Sequence, residues 1–244
     1  MQSSDLTLDP STVLPGEPGG VAPARPIARR ALHEEVADRL REWITEGRLA
    51  PGARLNERVL CAELDVSRTP LREAFKVLAA ERLIELHPNR GATVATLSVD
   101  DVRHLFELMG ALEGLSGELA ALRHSADDLR EIRALHFEML AAHARGDLPA
   151  YYRLNRAIHR AINRSARNPM LAEAYDSVNL RIQNLRFRSN FNAEKWDAAV
   201  LEHQAMLEAL AARDPARLRG QLEQHLQHKL QAVLDGLTPQ DSPP

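Results

Sequence analysis

One cysteine, Cys61, stands in a chain of 244 residues. It excludes an internal disulfide and fits a reducing compartment. Mid-helix beside Leu60, it reads as a small packing residue, not a reactive thiol. Aromatic residues are scarce, 4% against 44% hydrophobic, so the cores should be built from Ala and Leu on helices. No apolar run approaches the roughly 20 residues of a membrane span, and no basic-then-apolar stretch opens the chain. A cytoplasmic protein without a membrane partner is therefore expected. Charge of one sign is lacking too. A formal net charge of -3 excludes a nonspecific polyanion binder, so any affinity for nucleic acid must come from a local basic face. The motifs of catalysis are absent: no HExxH pairing, nucleophile elbow or Gly-rich phosphate loop. An enzyme is not expected. A metal-dependent hydrolase, or a helical interaction protein without DNA binding, stands as the alternative.

What is present begins at ERVLCAELDVSRTPLREAFKVLAAER, residues 57–82. It reads as two helices and a tight turn. Val59, Leu60 and Leu64 give the first an apolar face at helical spacing. Asp65 tolerates the left-handed backbone such a turn needs. Ser67 can N-cap the second helix, whose apolar stripe is Leu71, Phe75, Leu78 and Ala79. Arg68, Thr69, Arg72 and Lys76 lie off that stripe and form a basic face. A helix of this size fits the DNA major groove, where its N-terminal residues reach base edges. LIELHPNRGATVATL follows, two β-prone runs about a Pro-Asn-Arg-Gly turn. A recognition-type helix followed by a basic-tipped hairpin is a winged helix-turn-helix.

The run from Ala31 to Ala95 resembles the N-terminal domain of the GntR family of bacterial transcription regulators. The residues that carry the resemblance are EGRLAPGARLNE (46–57), DVSRTPLREAFKVLAAERLI (65–84) and NRGATV (89–94). Asp65 departs from the glycine usual there. The resemblance implies Arg58, Arg68 and Arg72 as base or phosphate contacts and Ser67 and Thr69 on backbone phosphates. It also implies Arg90 and Gly91 at the wing tip in the minor groove. One recognition helix reads few base pairs, so a specific operator calls for two half-sites and a homodimer.

The chain then divides into a disordered tail (1–26), the winged helix-turn-helix (27–97), an all-α bundle (98–236) and a second disordered tail (237–244). The first domain opens with a helix from Ile27 to Trp43; Arg29 and Arg30 before its core positions could touch phosphate. Six helices are expected in the bundle: 98–122, 125–145, 147–165, 168–189, 192–212 and 214–236. Ser125, Gly146-Asp147, Asn168-Pro169, Asn192 and Asp214-Pro215 punctuate them. The fold class is thus mostly α, with a six-helix bundle of antiparallel neighbours. In the first bundle helix Gly110, Gly114, Gly117 and Ala121 share one face. Each helical glycine costs roughly 1 kcal/mol against alanine, so the stripe has a packing purpose, either within the bundle or at a subunit interface.

Asn155 and His159, four apart, share a helical face. His203 and His225 each lie about eleven residues from the turn near Asp214, which brings them to nearly one height on antiparallel helices. Three imidazoles and one amide oxygen suit Zn²⁺, Ni²⁺ or a similar divalent ion. These helices resemble the FCD ligand-binding domain of the FadR subfamily, with six helices leaning to its VanR-like branch. The resemblance implies the same metal ligands: Asn155 (where Asp is commoner), His159, His203 and His225, with His228 exposed. Open positions on such an ion would take a hard oxygen anion, so a small organic or sugar acid is the expected effector. Met109 stands where the family often has an arginine, so Arg181 or Arg188 is expected to anchor that acid. Together these features describe a ligand-responsive, dimeric, DNA-binding regulator, expected to be a repressor.

Overall fold

The structure, a computed structural model, describes residues 32–88, 90–188 and 193–237. The expected first tail, residues 238–244 of the second, Arg29, Arg30 and Asn192 lie outside the described residues; Leu237, expected to open the second tail, is the last residue of a helix, and of Arg188 only the backbone is described. The first helix, α1 (Leu32–Thr45), turns Val36, Ala37, Leu40, Trp43 and Ile44 inward. That spacing is the stripe of an amphipathic helix. A short strand not foreseen from the sequence, β1 (Arg54–Leu55), leads into α2 (Glu57–Leu64) and α3 (Arg68–Ala80). Asp65 joins these two in the left-handed conformation, φ 52° and ψ 48°, as expected of a residue that stands in for glycine. Leu71, Ala74, Phe75 and Leu78 of α3 are buried against α1. Val59 departs from expectation: it is exposed, and in an α2 of only eight residues Leu60 alone is fully buried.

The hairpin forms as β2 (Ile84–His87) and β3 (Gly91–Val94), antiparallel, with Ile84 opposite Val94 and His87 opposite Gly91. Strand β1 pairs with the other edge of β3, giving the order β1-β3-β2. Ala92 and Val94, two apart, face the core with Ile84, the period-2 pattern of a one-sided sheet.

The bundle comprises α4 (Val99–Arg123), α5 (Ala126–Ala144), α6 (Leu148–Ser165), α7 (Pro169–Arg188), α8 (Ala193–Ala211) and α9 (Pro215–Leu237). Its helix starts are set by side chains that take up orphan amides. Ser98 with Asp101, and Ser125 with Asp128, form reciprocal capping boxes. The Ser98 hydroxyl holds the Asp101 carboxyl below its usual range, and the Ser125 amide does the same for Asp128. Asp147, Asn168 and Asp214 accept from Ala150, Leu171 and Arg217 amides at 3.0, 3.2 and 3.0 Å. At the other end of α4, Arg213 donates to the His124 and Ala121 carbonyls at 2.9 and 3.3 Å. That contact ties the α8–α9 turn to the C-terminus of α4.

Helix α4 is central. Val102, Phe106 and Met109 pack with Tyr175, Val178 and Ile182 of α7. The glycine stripe lies on α9 of the same chain. A Cβ built on Gly117 would meet Leu222 Cδ1 at 2.4 Å and Leu218 Cγ at 3.0 Å, and one on Gly114 would meet Glu223 Oε1 at 2.6 Å. The stripe is therefore accounted for within the bundle, and the subunit-interface alternative is not needed to explain it.

Candidate metal centre and DNA-facing surface

Helix α3 carries Arg68, Thr69 and Arg72 on its exposed side, opposite Leu71, Phe75 and Leu78. Ser67 occupies the N-cap position, but its hydroxyl makes no capping bond. The expectation that it N-caps thus holds for the backbone and not for the side chain. The first amides of α3 and the positive end of its dipole favour an anion there. Arg58 is exposed on α2, and Arg90 and Gly91 lie exposed at the hairpin tip. Gly91 has φ +85° with nothing within 4 Å of an added Cβ, so conformation and not crowding selects glycine. The Arg90 carbonyl accepts from Arg54 at 3.0 Å, which ties the tip to the strand edge. Among the described residues, Arg72 alone of Arg58, Arg68 and Arg72 has its side chain held: Nε and Nη2 donate to Glu57 at 3.0 and 2.9 Å.

Deep in the bundle, α6, α8 and α9 bring His159, His203 and His225 together. Their ring centroids are 5.1 to 5.2 Å apart, and one nitrogen from each lies within 4.8 Å of the others. Nitrogens at about 2.1 Å from one ion in a tetrahedral shell stand about 3.4 Å apart, so the three rings would have to close by roughly an ångström to hold a metal. All three are buried, His203 at 1% and His225 at 0% exposure. Among the described residues, neither nitrogen of His203, nor His159 Nε2, nor Asn155 Oδ1 has a hydrogen-bond partner. Buried polar atoms are rarely left so. Burial, then the neighbouring His225 and His159, pushes the His203 pKa well below its usual value. The ring stays neutral and keeps a lone pair to give.

Two carboxylates missing from the sequence-based set border the histidine cluster. Glu113 of α4, 2% exposed, places Oε2 2.8 Å from His159 Nδ1. Glu202 of α8 lies 2.5 Å from His225 Nδ1 and also bonds His228. The Glu202 bond to His225 Nδ1 fixes that ring's tautomer and leaves Nε2 as its donor atom, while Glu113 stands at ion-pair distance from His159. The signal for Glu113 was in the sequence: Phe106, Met109, Glu113, Ser116 and Ala120 form one stripe at spacings of three and four, and a lone carboxylate interrupts it. Glu202 adjoins His203 in sequence but serves His225. His228 is exposed, as expected.

The expected acid anchors are not gathered here. Arg181 is half-buried on α7 and helps lower the Asp101 carboxyl pKa at the start of α4. Asp101 lies about 18 Å along that helix from Glu113, at 1.5 Å per residue. The Arg188 side chain is outside the described residues. Lys229, one turn beyond His225, is buried, and it lines a pocket of about 220 Å³ with Glu202 and His228. A wider cleft of about 760 Å³ between α1 and α6–α7 is lined by Arg41, Glu81, Arg153 and Arg156 and includes none of the histidines. No described helix is long and apolar enough to cross a membrane.

Known proteins share this architecture. Residues 104–228 match the FCD domain and residues 32–94 match the bacterial regulatory proteins of the gntR family. The chain is 29% identical to a Paenarthrobacter nicotinovorans protein named "Probable D-xylose utilization operon transcriptional repressor", over 87% of this chain and 93% of that one. It is 24% identical to the HTH-type transcriptional repressor RspR of Escherichia coli K12, over 83% of this chain and 89% of the relative. The fold superposes on E. coli McbR/YncC with a TM-score of 0.76 at 24% identity, covering 84% of this chain and 98% of that one. The two matched segments run through the helix-turn-helix and the histidine bundle in turn, and the chain belongs to the GntR family of bacterial regulatory proteins, in its FCD-domain branch, as a ligand-responsive DNA-binding transcription regulator and not an enzyme.

Proposed function

We propose that this regulator is a repressor that binds its operator as a homodimer and is released by a small organic or sugar acid at a metal in the bundle. Residues 27–97 read DNA, and residues 98–236 sense the acid and pair the subunits. The single observation that carries the sensing half is the buried trio His159, His203 and His225, in which both His203 nitrogens and His159 Nε2 have no hydrogen-bond partner among the described residues. His159, His203, His225 and Asn155 would hold Zn²⁺ or Ni²⁺, and Glu113 and Glu202 would orient two of the rings. When bound, the ion would supply a Lewis-acidic point for a carboxylate. Asn155 adds no negative charge to the coordination shell, which favours an anion on the ion. Glu113→Gln should weaken Zn²⁺ affinity about 10- to 100-fold, read by competition with a chromophoric chelator. Wild-type affinity in that variant would remove Glu113 from the centre.

On the DNA side, Arg58, Arg68 and Arg72 would meet bases or phosphates. Ser67 and Thr69 would meet phosphates, and Arg90 with Gly91 would enter the minor groove. Exposed Leu108, Leu115 and Leu122, seven apart on α4, offer an apolar row that a second copy would cover. Arg72→Ala should cost about tenfold or more in discrimination at one base pair, the scale of a lost bidentate guanine contact. Equal affinity and equal sequence preference would take Arg72 out of the interface.

A further inference from the structure

We infer that Glu57 is a positioning residue for base recognition: it grips one edge of the Arg72 guanidinium and presents the other edge to DNA. The inference rests on Arg72 reading a base and adds the device that aims it. Glu57 opens α2 and Arg72 lies on α3, so the contact crosses the helix-turn-helix. Nε of Arg72 donates to Oε1 at 3.0 Å and Nη2 to Oε2 at 2.9 Å, a two-point grip that fixes the plane of the group as well as its place.

The donor count shows what remains. A guanidinium has five N–H groups, and the grip uses one on Nε and one on Nη2. Both hydrogens of Nη1 and one of Nη2 are left, which is the end-on pair that can meet O6 and N7 of a guanine. The backbone beneath Glu57 is fixed as well. Asn56 caps α2 by accepting from the Arg58 and Val59 amides at 3.0 and 3.2 Å, and an acidic residue in a first turn is favoured by the helix dipole.

Stability alone does not explain the pair. The Arg72 side chain is 60% exposed and that of Glu57 25%, and exposed ion pairs contribute little to folding. A carboxylate beside a DNA-binding face is also repelled by phosphate. Its presence costs nonspecific affinity and is repaid in order: a long side chain already held loses less rotamer freedom on binding. Arg58 and Arg68 have no side-chain partner among the described residues, so Arg72 is singled out.

The test uses the full-length protein and a preferred duplex selected from a randomised DNA library. Affinities for that duplex and its single-base-pair variants are measured by fluorescence anisotropy at fixed salt, with circular dichroism confirming the fold. Glu57→Gln should reduce preference at the base pair read by Arg72 about tenfold and raise affinity for an unrelated duplex severalfold. In an Arg72→Ala background the same change should leave preference unaltered, which a general structural role for Glu57 would not predict. If Arg72→Ala relaxes preference and Glu57→Gln does not, the positioning role is wrong while Arg72 keeps its place. If Glu57→Gln tightens the preferred duplex with discrimination intact, Glu57 competes with DNA for Arg72 and the inference is overturned. If Arg72→Ala itself leaves preference intact, Arg72 reads no base and both assignments fall.

Discussion

Replacing His203 and His225 together by alanine should abolish metal binding and the effector response while leaving most of the DNA affinity. These two residues supply two of the three clustered imidazoles, and His159 with Asn155 cannot close a coordination shell that needs four or more donors. A ligand held only by the folded state stabilises it by about 4.1 kcal/mol at a thousand times its dissociation constant. Zn²⁺ or Ni²⁺ should therefore raise the melting temperature of the wild type and not that of the variant. Mass spectrometry of the purified proteins should find metal in one and none in the other. The histidines lie on α8 and α9, away from α2, α3 and the wing, so operator affinity should be retained. His203→Gln with His225→Gln keeps side-chain volume in a core that alanine would hollow out, and separates lost ligation from lost packing. A double variant that releases operator at the normal effector concentration, with no detectable metal, would show that the metal is no part of the switch.

How much of this was legible in the sequence depended on whether local rules governed the residue. Caps were legible. Ser98, Ser125, Asp147, Asn168 and Asp214 satisfy amides within three residues of themselves, and such bonds are written in adjacent positions. The histidine trio was legible because a short turn at Asp214 makes α8 and α9 antiparallel, and counting from it fixes height. Glu113 and Glu202 were not found. Each serves a histidine on another helix, and the rotation of α4 against α6, or of α8 against α9, does not follow from spacing along one chain segment. The glycine stripe shows the same limit. The sequence says that one face of α4 is smooth, and only the packed bundle says that Leu218 and Leu222 fill it. Val59 fails for a different reason: at eight residues, α2 has too few turns for its apolar positions to define one stripe.

The stripe supports a second large effect, with opposite expectations at two glycines. Gly117 has Leu222 Cδ1 at 2.4 Å from the place of a Cβ, and the Leu218 backbone carbon at 3.4 Å behind it. Both leucines are fully buried, at 1% and 0% exposure, so a larger residue has nowhere to move them. Overpacking a core by a methylene or two costs about 1–3 kcal/mol, and Gly117→Leu inserts four carbons between α4 and α9. A cost of about 3 kcal/mol corresponds to roughly 6–12 °C in melting temperature for a domain of this size. Gly110 differs: its nearest neighbour, Leu226 Cβ, lies at 3.9 Å, an ordinary contact. Gly110→Ala should thus keep or gain up to about 1 kcal/mol from helix propensity. Metal-free protein melted by circular dichroism, with sedimentation velocity beside it, reads both variants. A Gly117→Leu protein that melts as the wild type but runs at half its mass would return the stripe to a subunit interface, because only a partner's helix could then be what the new side chain displaces.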